Sequence, residues 1–171
     1  TDEMTEKLYK AVKDFFALED NIKQKYEKPE FQGQRGYIGK GKEHAKGRST
    51  GDLKEFFHIG QQNTEDAITK HYLKNIWPTE VPNLNDGGNE AFAPLENAGL
   101  KKLRAIALYL GIEENYFEDK ASKGNSILSA IHYYPIESPE EVPDDAVRAA
   151  EHGDINLITL LMGASADGLQ V

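Results

Sequence analysis

At 171 residues, 39% hydrophobic and 29% charged, the chain has the make-up of a soluble globular protein with room for one real core. A formal net charge of −9 excludes broad binding to nucleic acid or an anionic membrane, since both need a basic surface. No apolar run nears the ~20 residues of a membrane span. Zero cysteines exclude disulfides and thiolate metal sites, and a reducing cytoplasm is the simplest setting.

Leu8, Val12, Phe15 and Phe16 recur at helical spacing with Lys and Asp between them, which predicts an amphipathic helix from about Thr5 to Leu18. Asp20 to Lys28 is polar and predicts a short helical turn before Pro29. The six glycines between Gly33 and Gly51 predict a mobile surface loop bordering a substrate entrance. Leu53 to Gly60 reads as a short strand, Glu65 to Tyr72 as a short helix, and Trp77 to Gly88 as loop. The clearest helix is expected from Pro94 to Leu110, on a stripe of Leu100, Leu103, Ala107 and Leu110, with Gly111 at its C-terminal cap. From Asn125 the period changes to two, which places a boundary near Ala121 to Gly124.

The stretch Gly124 to Pro135 predicts a strand ended by its proline. Alternation sets Leu128, Ala130, His132 and Tyr134 on one face and Ile127, Ser129, Ile131 and Tyr133 on the other. Farther on, His152-Gly153-Asp154 leads into the short, β-branched run Ile155 to Leu161, which has the composition of a buried strand. In extended backbone, residues two apart project to one side, so an imidazole and a carboxylate converge. These are two of the three donors of a 2-His-1-carboxylate site, which leaves positions on Fe(II) open for oxygen chemistry. Solvated side chains on a loop are the alternative. Gly163 and the Ala164 to Gly168 run then mark a turn before Leu169-Gln170-Val171.

Two other chemistries fail on the residues. Gly36-Tyr37-Ile38-Gly39-Lys40-Gly41-Lys42-Glu43 has the outline of a phosphate loop, but Glu43 cannot supply the hydroxyl for Mg²⁺ and adds negative charge. No Gly-x-Ser-x-Gly elbow surrounds any serine. Arg148 and Glu151 flank the His-Asp pair, either orienting its histidine or standing in solvent.

The string Arg148 to Val171 resembles the Fe(II)/2-oxoglutarate-dependent oxygenases of the isopenicillin N synthase-like branch. Arg35-Gly36-Tyr37, Asp52-Leu53-Lys54-Glu55-Phe56-Phe57 and Asn75-Ile76-Trp77-Pro78 are similar to three further landmarks of that family, in the same order. The resemblance implies an α+β fold: a mostly helical amino-terminal region over residues 1–121, then the first part of a double-stranded β-helix, or jelly roll, over 122–171. It also implies an internal portion of a longer oxygenase, whose start and carboxy-terminal half lie outside this chain. The missing segment, or another chain, is then expected to complete the fold. Expressed alone, these residues should be poorly soluble or partly molten, and inactive.

The implied function is Fe(II)- and 2-oxoglutarate-dependent oxidation of a small organic substrate by O₂, with no nucleic-acid or membrane partner. His152 and Asp154 are the implied metal ligands, and the third is expected beyond Val171. By position, His132 and Tyr134 would touch the 2-oxoglutarate, although His132 stands where related chains carry Asn. A Tyr and His of purely structural role are the alternative there. For the function, the alternatives are an isopenicillin N synthase-like iron oxidase that uses no keto acid, or a non-catalytic jelly-roll piece.

Overall fold

The computed structural model describes residues 2–44, 47, 49–62, 72–122, 124–162 and 167–168. Helix α1, Asp2–Phe16, opens with Asp2 and Glu3 and carries Lys13 in its last turn, charges that suit the two ends of the helix dipole. Its apolar stripe buries Leu8, Ala11, Phe15 and Phe16. A short helix α2, Asp20–Lys23, and two 3-10 turns, Gln24–Tyr26 and Pro29–Phe31, lead into strand β1, Gly36–Ile38. The glycine-rich stretch is therefore not all surface loop: Arg35, Gly36 and Tyr37 are buried. Gly36 is required there, because its φ is +77° and a Cβ would stand 2.5 Å from the Tyr26 carbonyl oxygen.

Strand β2, Glu55–Gly60, pairs antiparallel with β1 on one side and with β3, Ile127–His132, on the other. The order is β1-β2-β3, so strands from both sides of the expected boundary share one sheet. Register sets Phe57 between Tyr37 and Ala130, and Glu55 opposite His132. Phe15 packs edge-on against Phe57, with centroids 4.7 Å apart, and the same core holds Ala11, Phe16, Tyr37, Ile59, Val81 and Leu84. Asn75 closes the end of β2. Its side-chain oxygen accepts from the Gly60 N–H at 2.7 Å, and its amide donates to the Gly60 carbonyl at 2.9 Å.

The long helix α3 spans Asn83–Tyr109, eleven residues earlier than the expected start at Pro94. The expectation of loop over Asn83 to Gly88 rests on Gly87 and Gly88, which are poor helix formers. Packing overrides propensity here: a Cβ on Gly88 would lie 2.6 Å from Ile59 Cδ1 and 3.4 Å from the Trp77 ring. The helix ends as expected, with Gly111 at φ +69°. The Gly111 N–H donates to Leu108 O and the Ile112 N–H to Ala107 O, the bond pattern of a Schellman motif. A four-residue helix α4, Glu118–Ala121, then precedes β3.

The strand expected over Ile155 to Leu161 does not form. Ile155 is fully exposed and Leu157 and Leu161 are more than half exposed. A strand exists through its ladder, and among the described residues no strand runs beside this segment. The helix expected over Glu65 to Tyr72 falls outside the described residues except at Tyr72, and the turn after Leu161 lies largely outside them.

Candidate metal and cosubstrate site

Ala150 places the His-Asp pair. It is 5% exposed, and the segment leading to it is stitched to the approach of β2. The Leu53 N–H donates to Val147 O at 2.9 Å, and the Ala150 N–H donates to Asp52 Oδ1 at 3.2 Å. The Thr50 hydroxyl donates to the Asp145 carboxylate at 2.8 Å. Arg148 reaches back to the Tyr134 carbonyl at 2.8 Å, away from His152. This arginine therefore ties the pair's segment to the end of β3 and does not orient the imidazole directly.

His152 and Asp154 are brought together. The imidazole Nε2 stands 3.5 Å from Asp154 Oδ1, and both side chains are about half exposed. Each is also held from behind. His152 Nδ1 lies 2.8 Å from the Ala150 carbonyl oxygen, which can only accept, so Nδ1 carries the proton. Nε2 is the nitrogen that faces the carboxylate. Asp154 Oδ2 accepts from the Thr159 hydroxyl, whose oxygen accepts from Asn156 at 3.1 Å. Adjacent ligands on an octahedral divalent ion with bonds of about 2.1 Å stand about 3 Å apart, so a small closure would let Nε2 and Oδ1 share an ion. The donor set fits Fe(II), with its other donors engaged as ligand-orienting bonds require. Among the described residues no third imidazole or carboxylate joins the pair.

His132 and Tyr134 line a separate open cavity of about 630 Å³, together with Phe16, Lys23, Lys40 and Glu55; neither His152 nor Asp154 lines it. The alternation expected along β3 holds, with Leu128, Ala130 and His132 turned inward and Ile127, Ser129 and Ile131 exposed. His132 is occupied on one side: its Nδ1 lies 2.7 Å from Glu55 Oε1, and its ring stacks on Phe16 at 4.9 Å. Tyr134 lies under Lys40, whose Nζ is 5.0 Å from the ring centroid. Burial first, and the Glu55 charge second, push the Tyr134 hydroxyl above its ordinary value, so it remains a donor near neutral pH.

Glu55 is the group that composition and motif reading pass over. Fully buried, it accepts from Lys23 Nζ at 2.9 and 3.2 Å, from the Tyr37 hydroxyl and from His132. Burial alone would raise its pKa, but these bonds and the Lys23 charge outweigh it and hold the carboxyl below its ordinary range. Tyr37 is driven the other way, by burial and by its bond to Glu55. Asp52 and Lys54 form a second buried pair at 2.9 Å, with Lys54 Nζ 5.1 Å above the Phe56 ring. The available signal is the string Asp52-Leu53-Lys54-Glu55, charges alternating directly before an apolar strand, where isolated charges would be costly.

Residues 1–80 match the model of a family described as the N-terminal region of non-haem dioxygenase in morphine synthesis. The chain is 35% identical over 97 residues to 2'-deoxymugineic-acid 2'-dioxygenase of Hordeum vulgare, covering 57% of this chain and 27% of that protein. To leucoanthocyanidin dioxygenase of Malus domestica it is 27% identical, over 100% of this chain and 46% of the other. Among solved structures, a Caulobacter crescentus protein assigned to the 2OG-Fe(II) oxygenase family matches with TM-score 0.70 and 35% identity, covering 81% of this chain and 45% of the other. A full-length Neurospora crassa protein solved in complex with alpha-KG matches with TM-score 0.68 and 26% identity, over 89% and 48%. The chain thus spans about half or less of the length of these relatives.

Proposed function

We propose that the chain belongs to the Fe(II)/2-oxoglutarate-dependent oxygenase superfamily, in its isopenicillin N synthase-like branch, and that the whole protein is a dioxygenase acting on a small organic molecule. The observation that carries this reading is the His152–Asp154 pair, with facing donor atoms 3.5 Å apart and their other atoms tied to Ala150 and Thr159. In this reading β3 and the segment after Ala150 are the first part of a jelly roll over 122–171, residues 1–121 support it, and a third metal ligand comes from beyond Val171. A partner segment would supply the ladder that Ile155 to Leu161 lacks.

His152 Nε2 and Asp154 Oδ1 would hold Fe(II). When bound, the metal supplies the O₂ activation that couples keto-acid decarboxylation to substrate oxidation. The chain's own contribution is orientation. Ala150 fixes which imidazole nitrogen is free, and Thr159 fixes which carboxylate oxygen is free. The Tyr134 hydroxyl would donate to a carboxylate of 2-oxoglutarate, and His132 would present Nε2 beside it with Nδ1 held by Glu55.

Substitution in the whole protein tests the metal reading. His152→Ala or Asp154→Ala should remove nearly all bound iron and keto-acid turnover, whereas His44→Ala, at an exposed position, should change neither. Normal iron occupancy in the Asp154→Ala protein would overturn it. One observation favours an oxidase that uses no keto acid. The cavity at Tyr134 is lined by Glu19, Asp20, Glu55, Glu137 and Glu141 against Lys23 and Lys40, a poor balance for a dicarboxylate. Substrate-dependent O₂ consumption that is indifferent to 2-oxoglutarate would decide for that reading.

A further inference from the structure

We propose that Asp52 is a positioning residue for the metal site: by holding the Ala150 peptide it fixes the ring orientation and tautomer of His152. The inference rests on His152 and Asp154 being metal ligands, but it concerns a residue about a hundred positions away in the chain. Asp52 is 3% exposed, and its Oδ1 accepts the Ala150 N–H at 3.2 Å. The other face of Ala150 then does the orienting, since its carbonyl oxygen receives His152 Nδ1 at 2.8 Å. One residue thus takes a bond from Asp52 on its amide and passes orientation to the imidazole through its carbonyl.

Asp52 is itself held. Lys54 Nζ lies 2.9 Å from Asp52 Oδ2, Lys54 is 6% exposed, and Glu43 approaches Lys54 from the other side at 3.3 Å. The Leu53 to Val147 backbone bond fastens the same two segments three residues upstream. Without Asp52 the Ala150 N–H loses its acceptor in a buried place, and the peptide can rotate to seek another. The Ala150 carbonyl belongs to the next peptide unit, joined through Ala150 Cα, so a changed backbone torsion at Ala150 would move it, freeing His152 to exchange tautomers and to turn Nε2 away from Asp154. Asp154 keeps its own support through Thr159, so only the histidine half of the pair should be affected.

The test uses long-range ¹H–¹⁵N spectra of the histidine rings and Mn(II) titration followed by EPR, on the whole protein. The parent should show a single Nδ1–H tautomer at His152. Asp52→Ala should show mixed tautomers and bind Mn(II) about 10- to 100-fold more weakly, the range typical of groups that orient metal ligands. Asp52→Asn keeps an oxygen for the Ala150 N–H and should stay within about 3-fold of the parent. If Asp52→Ala fails to fold, an ester in place of the Ala150 amide removes the same bond and leaves the Asp52–Lys54 pair intact. It should give the same two changes. His152→Ala separates the two readings. If it abolishes Mn(II) binding while Asp52→Ala and the ester leave tautomer and affinity unchanged, the positioning role is wrong and the metal site stands. If His152→Ala leaves Mn(II) binding unchanged, the metal reading fails, and the tautomer spectra alone decide whether Asp52 orients the ring.

Discussion

Glu55→Ala is the substitution whose cost can be worked most directly from the structure. Glu55 is 0% exposed and is the common acceptor of Lys23, Tyr37 and His132. Its removal leaves Lys23, 2% exposed, with Asp20 at 2.9 Å as its remaining carboxylate among the described residues, and strands the Tyr37 hydroxyl in the core. Breaking a buried pair by deleting one partner costs about 3–5 kcal/mol, and the surviving Asp20 contact argues for about 3. At an m-value of about 1.5 kcal/mol/M, the urea midpoint should fall by about 2 M. Urea unfolding followed by far-UV circular dichroism and Trp77 fluorescence would measure it. Lys23→Met with Glu55→Leu leaves no ion unpaired and should recover part of that loss, the Tyr37 hydroxyl, still without its acceptor, keeping a cost of about 1 to 2 kcal/mol. A Glu55→Ala loss below about 1 kcal/mol at unchanged m, or a double variant as unstable as the single, would refute the reasoning. The pH dependence has a definite sign. The folded carboxyl titrates below its ordinary value of 4.5, so its contribution is complete above that pH and is lost as pH falls below it. Glu55→Gln should flatten that acid limb.

Neighbouring glycines of α3 should respond in opposite directions. A Cβ on Gly87 meets nothing nearer than Leu8 Cα at 3.4 Å, so Gly87→Ala should gain up to about 1 kcal/mol of helix propensity in thermal unfolding. Gly88→Ala must displace Ile59, whose Cδ1 would be 2.6 Å away, and should lose about 1–3 kcal/mol. For the cosubstrate, Tyr134→Phe in the whole protein should raise the KM for 2-oxoglutarate about 2- to 10-fold, the worth of one hydrogen bond of about 0.5–1.5 kcal/mol. Tyr133→Phe, on the exposed side of β3, should leave it unchanged, and equal effects from both would contradict the assigned faces.

Legibility in the sequence follows the range of the forces. α1 and the end of α3 are readable because the apolar spacing of Leu8 to Phe16 and the cap at Gly111 are local signals. The facing of β3 is readable because alternation needs no knowledge of the partner strand. Asn83 to Gly88 misleads because the reason for its glycines lies across the core, in Ile59 and Trp77. Ile155 to Leu161 misleads for a related reason: β-branched composition measures fitness for a ladder, and a strand also needs a neighbour. In the site, the His152–Asp154 spacing is visible as a pattern, whereas its supports are not. Asp52 lies 98 residues from Ala150, and the Thr159 contact depends on a bend that no periodicity announces.

The segment Asp52 to Phe57 shows how one short string can serve both halves of the architecture. Period two sends Asp52 and Lys54 to one side of the chain and Glu55 and Phe57 toward the helices. On the first side the charges meet each other and the Ala150 peptide, which fastens the His-Asp segment. On the second, Glu55 meets Lys23 from α2, Tyr37 from β1 and His132 from β3, while Phe57 meets Phe15 from α1. Two carboxylates three positions apart thus face opposite ways, each satisfied by groups distant in sequence. Moving either by one residue would expose it to the wrong partners and leave buried donors unmatched. Opposite facing also makes the two separable. A change at Glu55 should act on the core and the Tyr134 cavity, and a change at Asp52 on the imidazole of His152. With few shared partners between the two clusters, their stability effects should add to within about 0.5 kcal/mol in the Asp52→Asn/Glu55→Gln double variant. A larger coupling would mean that β2 shifts as a unit and that the two sites are not independently held.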